Sequence, residues 1–261
     1  MTIWHDARML NAMANLLLVM AMAAAAACAL DWLIRRPMFD LTDIVVEGID
    51  GRRLARVSAG DLRAEGLARI DGNFFTIDLA ALRARFERAP WIRRAEVRRV
   101  WPNRLEVAIE EHKPLARWSD GRLVNTFGEL FSARLPDPDE REALLRFGGP
   151  EGTQRIVTER YDELERQLRR VAMRPQEVTL SERLAWSARL DNGITLLIGR
   201  DEGVAVMDRV SRWASVHPDV QSRLDERTEV IDLRYPNGFA IRVPGTIEAD
   251  TQRPRTAPAR P

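Results

Sequence analysis

Two adjacent carboxylates, Glu110 and Glu111, are the side chains in this 261-residue sequence whose types most suggest acid–base chemistry. They close the run RLEVAIEE, in which Leu105, Val107 and Ile109 alternate with Arg104, Glu106 and Glu110. That period of two describes a strand with one buried and one wet face, and neighbours on a strand point to opposite faces. A shared-proton dyad is therefore not expected from this pair. No serine lies in the G-x-S-x-G turn of a nucleophile elbow, and GGPEG at 148–152 has the glycines of a phosphate loop without its lysine. The three histidines, His5, His112 and His217, are scattered, and the single Cys28 lies in an apolar run. Neither a zinc-ligand spacing nor an intrachain disulfide is available. Nucleophile, base, metal and cofactor are all missing, so the expectation is a protein that is not an enzyme and carries no cofactor.

Recognition chemistry is better represented. EVIDLRYPNGFAIRV, residues 229–243, describes two short strands around an Asn237-Gly238 turn. Ile231, Leu233 and Tyr235 alternate in the first strand, and Phe239, Ile241 and Val243 in the second. Pro244-Gly245 stops the second strand, and a polar, proline-rich stretch follows. The last strand is thus a candidate free edge, which a protein must either block or use, and one use is to accept a partner's strand.

Elements must hold that edge in place. Leu10 to Leu30 is free of charge over about the 20 residues a helix needs to cross a bilayer, and Trp32 follows where interfacial aromatics sit. The length favours an uncleaved anchor over a signal peptide. Charges flanking the span do not decide its orientation, since Arg8 opposes Arg35-Arg36. Overall charge is nearly balanced, 40 Lys and Arg against 39 Asp and Glu, so no net field favours nucleic acid.

Beyond the anchor, LTDIVVE at 41–47 predicts a strand, Ser58 caps a short helix, and Asp78 caps a second whose Leu79, Leu82 and Phe86 form one apolar stripe. Two strands, IRRAEVRRV and RLEVAIEE, follow, joined by Trp101-Pro102-Asn103. Trp91 and Trp101 are expected to fill the core between sheet and helices, and the arginines of 93–99 to solvate an outer face. Residues 112–245 read mainly as strands, with hairpin turns at Asp120-Gly121, Asn192-Gly193 and Asn237-Gly238. Leu184, Trp186, Ala188 and Leu190 keep a period of two. Helices are predicted at about 153–173 and 202–216, the second capped by Asp201.

GNFFTIDLAAL, APWIRRAEVRRVWPNRLEVAIEEHKPLARW and VIDLRYPNG together resemble the FtsQ family of bacterial cell division proteins. The resemblance covers about residues 37–245. It implies an α+β chain: a cytoplasmic tail at 1–9, a transmembrane helix at 10–30, a juxtamembrane linker at 31–38, a POTRA domain at 39–111 with order β-α-α-β-β, and a mainly antiparallel β domain at 112–245; the Pro, Arg, Thr and Ala composition of 246–261 predicts a disordered tail. The resemblance implies a scaffold of the inner membrane, with the bulk of the chain periplasmic, that binds FtsB and FtsL. The residues it assigns to strand addition by FtsB are Arg200, Arg234, Tyr235, Asn237, Gly238, Phe239, Ile241 and Val243. The alternative is a POTRA-containing secretion or outer-membrane assembly protein, a class that needs a long C-terminal barrel.

Overall fold

The computed structural model describes residues 7–62, 72–220, 228–235 and 237–242. The chain divides into two compact units, Met1–Glu111 and His112–Pro261.

The first unit opens on α1, Ala7–Ile34, which carries a stretch from Leu10 to Ile34 long and apolar enough to cross a membrane. The helix continues past Leu30, so the first residues of the expected linker are helical. Asp31 supports that extra turn by an ion pair to Arg35 one turn on, at 3.0 Å. After a 3-10 turn at Pro37–Phe39 comes a sheet of three strands in the order β1-β3-β2. The strands are β1 (Asp43–Gly48), β2 (Ile92–Val100) and β3 (Arg104–Glu111); β1 runs parallel to β3, and β2 antiparallel to it.

Two helices, α2 (Ala59–Leu62) and α3 (Leu79–Phe86), lie between β1 and β2 in sequence. Asp78 caps α3 as its position suggests, its carboxylate accepting from the N–H groups of Ala80 and Ala81. Leu82 and Phe86 bury the helix stripe against Ala95, Leu105, Val107 and Ile109. This core excludes Trp101, which is 71% exposed on the β2–β3 turn. The expectation of a core role for it fails because a turn points its side chains outward from the sheet's end. Trp91 is half-buried against the same core, with the Arg56 guanidinium 5.0 Å from its ring centre.

Glu110 and Glu111 are split as the strand geometry requires. Glu110 pairs with Arg93 at 2.8 Å. Glu111 accepts from the N–H groups of Ala55, Arg56 and Val57 at 2.8, 2.7 and 2.7 Å, tying the end of β3 to the segment before α2.

The second unit is a nine-stranded sheet in the order β12-β11-β10-β9-β8-β7-β4-β5-β6. The strands are β4 (Pro114–Trp118), β5 (Leu123–Asn125), β6 (Leu130–Phe131), β7 (Leu145–Gly148), β8 (Pro175–Leu180), β9 (Trp186–Leu190), β10 (Thr195–Gly199), β11 (Val230–Asp232) and β12 (Ala240–Arg242). Most neighbours are antiparallel, but β4 with β7, β7 with β8, and β10 with β11 are parallel. Parallel neighbours need crossovers, and α4 (Pro138–Ala143), α5 (Gln154–Leu168) and α6 (Val206–Val220) lie in these three connections in turn. Leu164 and Leu168 of α5, and Val206, Val210 and Trp213 of α6, pack with Val178, Ala188, Leu196, Ile198 and Ile231 of the sheet. Leu184 departs from its predicted strand period. It has a φ of 56° and is exposed in the turn before β9, where Ser181 accepts its N–H.

Candidate partner-binding edge

The strand β12 sits at one end of the nine-stranded order and, among the described residues, pairs only with β11, Ile241 opposite Ile231. Ala240, Ile241 and Arg242 are all exposed. The alternation expected from sequence holds for Ile231 and Leu233, which are buried, fails at Tyr235, which is exposed beyond β11, and is absent in β12. Phe239 is half-buried against the sheet's core and supplies the hairpin's inward anchor. Asn237 is exposed and Gly238 half-buried in the turn, while Val243 lies outside the described residues.

Arg234 and Tyr235 follow β11. Tyr235 is 55% exposed. Arg234 is also exposed, but it is held: its Nε donates to Asp232 Oδ1 at 2.8 Å and its Nη2 to Asp232 Oδ2 at 2.5 Å. The fork holds the Asp232 carboxyl below the usual carboxylate range through its hydrogen bond. The methylene stem of Arg234 runs across Gly199. A Cβ on Gly199 would meet Arg234 Cγ at 3.0 Å and Arg209 Nη1 at 3.1 Å, and the glycine's φ is 89°. A glycine is needed there for both backbone and space.

The next residue along the chain is Arg200. It is exposed and pairs loosely with Glu202 at 3.2 Å. Its loop, between β10 and α6, is pinned by a residue that sequence reasoning did not single out. Arg209 of α6 is 8% exposed, and its Nη1 donates to the carbonyls of Ile198 and Arg200, both at 2.8 Å. Its Nη2 donates to the carbonyl of Glu202 at 2.9 Å. Asp201 closes the other side. Its Oδ1 accepts from the Val206 N–H at 2.9 Å, and its Oδ2 accepts from Arg160 of α5 at 3.0 Å. Arg160 in turn stands 5.1 Å over the Trp186 ring. A signal for Arg209 existed in the sequence: a lone cation among the apolar positions Val206, Val210 and Trp213, which a solvated helix face would not place there.

Arg200 follows Gly199 in the chain and the Arg234 stem crosses that glycine, while Tyr235 and β12 are exposed just downstream of Arg234. The arrangement can do two things chemically. Its guanidiniums can bind carboxylates, and β12 can accept backbone hydrogen bonds from an added strand. Among the described residues, no cluster of three or more His, Cys, Asp or Glu could hold a metal ion.

Comparison with known proteins gives two family matches. The profile described as "Cell division protein FtsQ/DivIB, C-terminal" matches residues 116–234, and "POTRA domain, FtsQ-type" matches residues 44–112. The chain is similar to the cell division protein FtsQ of Bordetella pertussis, 41% identical with 91% of this chain and 92% of that protein covered. It is similar at 41% to FtsQ of Burkholderia pseudomallei, covering 93% and 95% of the two chains. FtsQ of Neisseria gonorrhoeae is 32% identical, covering 92% and 94%.

Proposed function

Because the chain belongs to the FtsQ family of bacterial cell division proteins, we propose that it is a non-enzymatic division scaffold that recruits FtsB and FtsL at the β12 edge. In this reading α1 crosses the inner membrane once, with a short cytoplasmic N-terminal segment and both units in the periplasm. The POTRA domain of 39–111 and the β domain of 112–245 divide the work, the first bringing the protein to the septum and the second docking the partner.

The observation that carries the reading is the uncovered β12 beside two arginines and Tyr235. FtsB adds a strand along residues 239–243, and backbone hydrogen bonds supply affinity. Acidic residues of FtsB meet Arg200 and the side of Arg234 that Asp232 leaves open, its Nη1. Tyr235, Phe239 and Ile241 cover apolar side chains of the added strand.

The test is FtsB binding by the purified full-length protein and its variants, with circular dichroism to confirm folding. Arg234→Glu sets a carboxylate beside Asp232 and against the partner's acid. Breaking a close, partly desolvated charge pair costs on the order of 2–5 kcal/mol, about 30-fold or more in affinity. Proline at Ala240 or at Ile241 should abolish binding at whichever position gives its N–H to the partner. Folded Arg234→Glu protein with unchanged FtsB affinity overturns the site.

A further inference from the structure

The end of the first unit from which α1 emerges carries three exposed apolar side chains, Met38, Phe75 and Trp101, at 64%, 49% and 71% exposure. Scattered surface hydrophobics are ordinary, but these share one end of one small domain. A chain of hydrogen bonds holds them together there. Asn73 Nδ2 donates to the carbonyl of Ile34, the last residue of α1. The Asn73 side chain also accepts from the N–H groups of Phe75 and Thr76, and the Asn73 backbone carbonyl accepts from the Ile77 N–H, so 73–77 is one tight turn. The Phe74 N–H donates to the Phe39 carbonyl, and the Phe39 and Phe75 rings meet edge to face at 4.9 Å. Arg99 reaches back to the Ile77 carbonyl at 2.7 Å, and the Thr42 N–H binds the Asn103 carbonyl at 3.1 Å. These last two bonds fasten the turn bearing Trp101 to the same end.

The span itself sets the depth. Leu10–Ile34 is 25 residues, which at 1.5 Å per residue is about 37 Å. The hydrocarbon core is about 30 Å thick, with roughly 5–7 Å of headgroup layer on each side. The last turn of α1 therefore lies at headgroup level, and Trp32 is there with the Arg36 guanidinium 3.5 Å from its ring centre. An amphipathic ring with a cation over it suits that layer.

We propose that this end of the first unit is a membrane-contact surface, with Met38, Phe75 and Trp101 inserted into the lipid interface around the emerging helix. The proposal rests on the reading of α1 as a span. Lipid is the occupant because the patch is continuous with the span and tied to its last residue. The contact adds a second point of attachment, which limits the tilt of the first unit on the bilayer.

Collisional accessibility of nitroxide labels tests it in the full-length chain, reconstituted in phosphatidylcholine vesicles on a Cys28→Ser background. Single cysteines replace Met20 in the span, Met38, Phe75 and Trp101 in the patch, and Ile156 as an exposed control in the second unit. All the body positions are exposed, so the variants should fold, and circular dichroism checks this. Met20→Cys should report lipid through high oxygen and low nickel-chelate collision. The three patch labels should show a severalfold higher oxygen-to-nickel ratio than Ile156→Cys. A lipid-like Met20 label with patch labels matching Ile156 overturns the surface and leaves the span intact. A water-like Met20 label overturns both.

Discussion

Replacing Arg209 with Met should loosen the loop that carries Arg200 while leaving the sheet in place. Arg209 makes three charge-assisted hydrogen bonds to carbonyls, at 2.8, 2.8 and 2.9 Å. Bonds to charged groups contribute about 1.5–3 kcal/mol each, but the three share one side chain and do not add. The Ile198 carbonyl is buried and keeps its full desolvation penalty when the donor goes. The carbonyls of Arg200 and Glu202 lie in an exposed loop, and water replaces the guanidinium there. Methionine retains most of the stem's packing. The net cost is about 3–5 kcal/mol, less than a typical domain's stability, so the unit stays folded at 25 °C. For a unit of this size that lowers its melting temperature by roughly 6–20 °C. Calorimetry of the two units should show the fall in one transition only. The same variant should uncouple Arg200 from FtsB. Arg200→Ala should weaken binding in the wild-type background and do so less by at least ~0.5 kcal/mol in the Arg209→Met background. A melting shift below about 3 °C, or strict additivity of the two substitutions, refutes the idea that Arg209 positions the loop.

Asp232, whose carboxyl is lowered by the Arg234 fork, should titrate in carbon-13 NMR below the ordinary aspartate range and return toward it in Arg234→Met. Because its folded pKa is depressed, the stability it contributes is fully present above the unfolded value near 3.9 and is lost as pH falls through the folded value. The hairpin fork should therefore be unaffected between pH 5 and 8 and open only in acid. Glu111→Ala leaves three backbone donors of Ala55, Arg56 and Val57 without their carboxylate, and should destabilise the first unit by about 2–4 kcal/mol in urea titration while sparing the second. In the same assay Trp101→Ser should change stability by less than about 0.5 kcal/mol, whereas Phe86→Ala, at 0% exposure, should cost about 3–5 kcal/mol.

The elements were legible wherever local chemistry and burial agreed. Asp78 caps its helix because a carboxylate satisfies free N–H groups whatever surrounds it, and the hairpin turns at Asp120-Gly121, Asn192-Gly193 and Asn237-Gly238 each join antiparallel neighbours. The α+β class and the β-α-α-β-β order of the first unit follow from such signals. Two failures share a cause. Trp101 and Leu184 are large apolar residues at strand ends, and alternation does not tell where a strand stops and its turn begins. The short β6 and α4 carry too few residues for any period to register. At the candidate site, residue types were readable and pairings were not. Nothing in the order of residues says that Arg234 folds back on Asp232, two positions away, or that Gly199 is small because two arginines cross it. The place of Arg209 among the apolar positions of α6 signalled its burial, but its partners are carbonyls, which every residue possesses and no sequence pattern marks.

The strand β12 and its neighbour β11 are made from residues 230–242, downstream of every other strand of the nine. In chain order β10 precedes them, and without them β10 would end the sheet. That edge presents the buried-type residues Leu196 and Ile198, without Arg234 or Tyr235. The final hairpin covers that border and sets β12 at the end of the sheet instead. A chain lacking residues 230–242 would keep seven of the nine strands, β4 to β10, but neither Arg234 nor Tyr235.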